Sequence, residues 1–90
     1  MLKLDLSRDA GDFIAGLPGK QLKQVVSAML TLLKNPRPLD GCPLTGMDGY
    51  FRIDSGEYRI VFHVDGNLLR APLIGKRNDG GVYHRLGRKI

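Results

Sequence analysis

The chain has 90 residues, a length at which one hydrophobic core and one domain are expected and a multidomain enzyme is excluded. With 42% hydrophobic and 26% charged residues, its composition is that of a globular protein, neither disordered nor fibrous. Fourteen Lys and Arg against nine Asp and Glu give a net charge of +5, and residues 52–90 hold eight of the basic but only four of the acidic groups, so a polyanionic partner is expected to meet the C-terminal part.

No stretch approaches the roughly 20 apolar residues of a membrane span. Residues 1–12 alternate charge with leucine instead of forming a signal-peptide core, so a cytoplasmic protein is expected. The single cysteine, Cys42, has no partner for an intramolecular disulfide, and two isolated histidines do not complete a zinc-site spacing with it. No metal or other cofactor is implied.

Leu2, Leu4 and Leu6, alternating with Lys3 and Asp5, predict a short strand with one buried side. Ser7 is placed to cap a helix in which Ala10, Phe13, Ile14 and Leu17 form one stripe, with Asp9 and Asp12 near its positive end and Pro18-Gly19 closing it. From 20 to 34 the residues Leu22, Val25, Val26, Met29, Leu30, Leu32 and Leu33 mark an amphipathic helix that Asn35-Pro36 ends. Three prolines and two glycines between 35 and 46 predict an ordered connection without regular structure, where Cys42 and Met47 are read as packing residues.

Three strands are then expected over 49–54, 57–64 and 67–74, joined by Ser55-Gly56 and Asp65-Gly66. As two-residue turns these pair Phe62 with Leu69, Ile60 with Ala71, Tyr58 with Leu73, Val61 with Arg70 and Arg59 with Pro72. On the other hairpin they pair Ile53 with Tyr58, Phe51 with Ile60 and Arg52 with Arg59. One face is then apolar throughout, and the helices are expected to cover it. The fold class is α+β: an N-terminal strand, a helical hairpin, then an antiparallel β-meander, forming a small sheet with helices on one face. Pro72 lacks a ladder donor, and in this register it disturbs only pairing with the first strand, if that strand lies beside it.

The opposite face carries Arg52 directly across from Arg59, with Arg70 and His63 on the same side. Like charges opposed across strands are destabilising. Two guanidinium groups on an open face suit an anion, because the arginine fork matches phosphate. The alternative is that Asp54, Glu57 or solvent screens them.

Two stretches carry a resemblance: Arg52-Ile53-Asp54-Ser55-Gly56-Glu57-Tyr58-Arg59-Ile60-Val61-Phe62, and Leu73-Ile74-Gly75-Lys76-Arg77-Asn78-Asp79-Gly80-Gly81-Val82-Tyr83. Together they resemble the RelE/ParE superfamily of bacterial toxins, closer to the RelE-type mRNA interferases, with residues 1–90 as a single toxin domain. The resemblance implies a type II toxin that enters the ribosomal A site and cleaves the exposed codon, with a cognate antitoxin as partner in a hetero-oligomer and the ribosome and mRNA as targets. The implied chemistry is metal-independent: a ribose 2′-hydroxyl attacks the neighbouring phosphate, leaving a 2′,3′-cyclic phosphate and a free 5′-hydroxyl. Arg59 matches the Tyr-Arg motif and would stabilise the phosphate. Arg77 matches the Gly-Lys-Arg motif and would serve the leaving oxygen as acid or electrostatic stabiliser. Tyr83 matches the terminal Val-Tyr motif and would stack on or orient the nucleotide. Arg52 is the one cation kept where RelE has paired lysines, and Lys76, Arg70 and Arg85 are expected to bind RNA. For the general base, Asp54, His63 and His84 all stay open, because arginine remains protonated.

Two other functions compete. A ParE-like DNA gyrase inhibitor would share the scaffold without nuclease chemistry. A plain nucleic-acid-binding module or corepressor has only the charge in its favour, with no basic recognition helix.

Overall fold

In a computed structural model of the chain, residues 1–36, 41–44 and 46–76 are described. The elements in order are β1 (Lys3–Leu6), α1 (Arg8–Ala15), α2 (Gly19–Lys34), β2 (Cys42–Pro43), β3 (Phe51–Ser55), β4 (Tyr58–Asp65) and β5 (Leu68–Lys76). The five strands form one mixed sheet in the order β1-β5-β4-β3-β2. β1 runs parallel to β5 and the other pairs are antiparallel. The α+β arrangement expected from the sequence is the one observed. Neither helix is long and apolar enough to cross a membrane among the described residues.

Ser7 begins α1 as expected, and it does more than cap. Its Oγ accepts from the Ala10 N–H at 3.0 Å and donates to the Pro72 carbonyl at 2.6 Å, tying the helix start to β5. Ser7→Ala loses both bonds and is expected to cost about 1–2 kcal/mol, read as a fall of roughly 5–10 °C in Tm. Pro18-Gly19 does not close α1, which ends at Ala15 with Gly16 as its C-cap; Pro18 instead caps α2 and Gly19 is its first residue. The connection after α2 is not wholly irregular, because Cys42 and Pro43 form the short edge strand β2 against Arg52 and Phe51 of β3.

The helices bury one face of the sheet. Ala10, Ile14, Val25, Met29, Leu32 and Leu33 pack on a sheet surface that includes Ile53, Tyr58, Ile60, Phe62, Leu69 and Ile74. Phe13 meets Tyr58 edge to face at 5.8 Å, and Phe62 stacks on Phe51 at 6.0 Å. Two leucines of the expected apolar stripes stay outside: Leu30 on α2 is 52% exposed, and Leu4, on the edge strand β1, is 37% exposed.

Both hairpin registers differ from expectation by the same amount. Gly56 and Gly66 have φ of +60° and +61°, and no other residue type among those described has positive φ. Each glycine is therefore the first central residue of its turn, as in type II′ turns, with Glu57 and Asn67 second. Ser55 pairs Tyr58, and Asp65 pairs Leu68. Throughout β3–β4, and from Asp65 to His63 on β4–β5, each residue thus meets a partner two positions beyond the expected one, and a shift of two preserves the face on which a side chain stands. Phe51 lies opposite Phe62, Ile53 opposite Ile60, and Arg52 opposite Val61 instead of Arg59.

The second correction concerns β5. The β4–β5 pairing passes from His63↔Arg70 to Val61↔Leu73, so Phe62 faces two residues, Ala71 and Pro72, across a bulge. Pro72 needs no ladder donor there, which is where a strand tolerates proline. It is not the partner of Arg59, which lies opposite Gly75. On its other side β5 pairs with β1 up to Leu6↔Ala71, and that ladder stops immediately before the proline. The extra residue also reverses the facing of β5 beyond it: Ile74 enters the helix-side core, and Leu73, expected there, turns to the opposite face.

Candidate functional site

The sheet face away from the helices is not uniformly open. Val61 and Leu73, both fully buried, join Leu44 in a second small cluster, with Met47 and Tyr50 packed against it. The alternation of β4 makes this face necessary: Tyr58, Ile60 and Phe62 point to the helices, so Arg59, Val61 and His63 point away. The connection before β3 folds over the middle of this face and leaves charged groups to either side.

Arg59 makes the shortest ion pair of these among the described residues. It stands directly across from Asp54, its Nε donating to Oδ1 at 2.8 Å and its Nη2 to Oδ2 at 3.4 Å. The side chains are 15% and 33% exposed, so the guanidinium lies against the sheet with its carboxylate partner at its edge. The expected like-charge opposition of Arg52 and Arg59 is replaced by an ion pair, and the screening by Asp54 that the sequence left as an alternative is what occurs at Arg59. Arg52 lies on the same face diagonally from Arg59, because its own partners are Val61 and Cys42. Diagonal neighbours sit roughly 7–8 Å apart at the backbone, within reach of two long side chains meeting one anion. Among the described residues Arg52 enters no ion pair. Opposite Arg59 on the other side is Gly75, which puts no side chain beside the guanidinium.

The remaining cations are dispersed. Arg70 faces His63 at the far end of β4 and approaches Asp65 at 3.5 Å and Asp5 at 3.7 Å. The four residues from Arg59 to His63 place it about 13 Å along the sheet from Arg59. Lys76 is exposed, and its pairing with the buried Tyr58 puts it on the helix side of the sheet end, the face opposite to that of Arg59. Arg77, Tyr83, His84 and Arg85 lie outside the described residues. Among the described residues no three His, Cys, Asp or Glu are grouped as metal ligands.

Tyr50 is a neighbour that the sequence did not reveal. Its ring meets that of His63 at 4.5 Å between centroids, a contact no local pattern signals because it joins the residue before β3 to the far end of β4. Burial pushes the His63 pKa below the ordinary imidazole value of 6.5, and the Arg70 guanidinium pushes the same way, against a smaller upward pull from Asp65. The unfolded chain therefore takes up this proton first as pH falls. Stability contributed by neutral His63 is complete above the ordinary imidazole pKa and is lost as pH drops toward the lower folded-state value. Urea denaturation at about pH 7.5 and about pH 5.5 is expected to show a smaller acid loss in His63→Gln than in the parent; an equal loss would remove His63 as a cause.

The chain, a small mixed sheet with a helical hairpin on one face, has the fold of the RelE toxins. It superposes on a mutant of the Escherichia coli RelE toxin in the free state with a TM-score of 0.83 at 22% identity, covering 99% of this chain and 97% of that one. A toxin–antitoxin complex of the RelBE type from Mycobacterium tuberculosis matches with a TM-score of 0.72 at 22% identity over 84% and 98% of the two chains. The archaeal RelE–RelB complex from Pyrococcus horikoshii matches at 0.75 and 16% over 88% and 98%. No protein-family model and no curated protein matches the chain.

Proposed function

We propose that the chain is a single-domain toxin of a type II toxin–antitoxin system, acting in the cytoplasm as a ribosome-dependent, metal-independent mRNA endonuclease. The observation that carries this reading is a RelE fold spanning 99% of the chain, with a guanidinium held at Arg59 on the sheet face that the helices leave uncovered. In the reaction a ribose 2′-hydroxyl gives up its proton to a general base as its oxygen attacks the adjacent phosphorus, and the bond from phosphorus to the 5′-oxygen breaks. The products are a 2′,3′-cyclic phosphate and a 5′-hydroxyl that takes up a proton. Arg59 meets the charge that builds on the phosphate oxygens. Arg52 adds a second cation from the next strand, Arg77 serves the leaving oxygen, and Tyr83 stacks on the nucleotide. Arg70 and Arg85 bind the RNA backbone beyond the scissile phosphate, and Lys76, on the other face, meets it only where it passes the sheet end.

A chain of this size has little surface with which to orient RNA, so the ribosome supplies the positioning. Several structures of this fold are toxins bound to their antitoxins, and a cognate antitoxin is the partner proposed here. It would form a hetero-oligomer and present carboxylates to the basic face. The test is to express the protein and map transcript ends in cells, then repeat the reaction with purified programmed ribosomes. Discrete A-site cuts ending in cyclic phosphate, with little cleavage of naked RNA, are expected. Equal cleavage of naked and ribosome-bound RNA would reject the dependence on the ribosome. Gyrase inhibition without cuts would move the reading to a ParE-like toxin.

A further inference from the structure

The reaction outlined above gives no task to Asp54, although its geometry is among the most defined on this face. β3 puts it directly across from Arg59, and its two carboxylate oxygens face the Nε and Nη2 of the guanidinium at 2.8 and 3.4 Å. A two-point contact fixes the plane of the guanidinium as well as its position, which a single hydrogen bond does not. The pair is held against the sheet, where Arg59 is 15% exposed and the interaction is only partly screened. The same carboxylate places a negative charge one strand away from any phosphate that Arg59 receives.

Resting on the reading of Arg59 as the residue that meets the phosphate, we infer that Asp54 is a positioning residue. It orients the Arg59 guanidinium for the transition state while weakening the ground-state attraction of the site for phosphate. Such an arrangement favours rate over affinity, since orientation counts when charge develops and a neighbouring like charge counts at all times. A general base would have to turn an oxygen to the 2′-hydroxyl, whereas both oxygens of Asp54 already face Arg59 donors.

The two effects have opposite signs, which a merely structural role would not produce. Asp54→Ala is expected to lower the single-turnover cleavage rate on programmed ribosomes by about 10- to 100-fold. Its affinity for inorganic phosphate, followed by the nitrogen-15 resonance of Arg59 Nε, is expected to rise about threefold. The Arg59 Nε–H signal, distinct in the parent, should merge with those of exposed arginines in Asp54→Ala. Asp54→Asn keeps an acceptor for Nε and should recover the rate to within about threefold of the parent while keeping the tighter phosphate binding. In an Arg59→Ala background, Asp54→Ala should have no further effect on rate.

An Asp54→Asn protein as inactive as Arg59→Ala would make Asp54 the base and overturn the inference, as would an Asp54→Ala protein with parental rate. If the parent itself makes no cut on programmed ribosomes, the nuclease reading fails separately. The Arg59 signal and the phosphate titration then decide on their own, and parental values of both in Asp54→Ala overturn the positioning role.

Discussion

On the proposed reading of Arg59 as the residue that meets the phosphate, Arg59→Ala is expected to reduce the single-turnover cleavage rate on programmed ribosomes by at least about 100-fold, the usual consequence of removing a group aimed at developing charge. Ribosome affinity should change far less, because an interaction realised mainly in the transition state acts on the chemical step. The effect on stability has a definite sign. Had Arg52 and Arg59 opposed each other, removing one would have relieved repulsion and stabilised the fold. With Asp54 across the ladder at 2.8 Å, the substitution instead leaves a carboxylate without its facing guanidinium. Because Asp54 is 33% exposed and water reaches it, the cost should be modest, about 1 kcal/mol in urea denaturation. A parental cleavage rate in Arg59→Ala would remove the residue from the chemistry, and a gain in stability would contradict the observed register.

Phe62→Ala is expected to have the largest effect on folding. The ring is 1% exposed, stacks on Phe51 at 6.0 Å, and faces the bulge where Ala71 and Pro72 share one partner. Truncation opens a cavity beside a stretch of β5 whose ladder is already interrupted, so the surroundings have few hydrogen bonds with which to close it. A loss of about 3–5 kcal/mol is expected, against a total of about 5–10 kcal/mol for a domain of this size. Tm should fall by roughly 15–30 °C. Calorimetry and far-UV circular dichroism measure it, and a fall below about 5 °C would mean that the core closes around the gap.

The elements and their faces were legible in the sequence because apolar periodicity reports burial directly: Val25, Met29, Leu32 and Leu33 mark α2, and Ile60 and Phe62 mark the buried side of β4. Strand partners were not legible. Asp-Gly and Ser-Gly announce a tight turn, but the choice of glycine as first or second central residue depends on the backbone each turn adopts. That choice moves every partner by two, to which the bulge in β5 adds one from Val61 back to Tyr58. The assignment of faces survived the error and the assignment of charges did not, which is how an ion pair came to be read as two opposed arginines. Leu73 failed for a different reason. A bulge inserts one residue, and one residue reverses a strand's facing; Pro72 was its visible mark, read as a local defect when it signalled a change of register. Of the candidate site, Arg59 and Arg52 were placed on the correct face by alternation alone. The Tyr50–His63 contact had no sequence signal, and Asp54 was recognised only as a possible screen.

The parallel pairing of β1 with β5 bears on how the chain acquires its shape during synthesis. Lys3 pairs with Leu68 and Leu6 with Ala71, so β1 must wait for β5, the last described strand, before it has a neighbour. β5 also lies between β1 and β4 in the sheet, which means that an N-terminal portion lacking it has a detached strand and two helices without the docking surface that Leu69, Ala71 and Ile74 supply. The entropy of closing so long a loop is met only when Leu69, Ala71 and Ile74 arrive together with their contacts. A nascent chain therefore presents the apolar stripes of α1 and α2 to its surroundings until nearly all of the described sequence has emerged, and acquires its basic face in the same step that closes its core. Partial translation products of this protein would be substrates for chaperones and proteases, never a weaker form of the finished molecule.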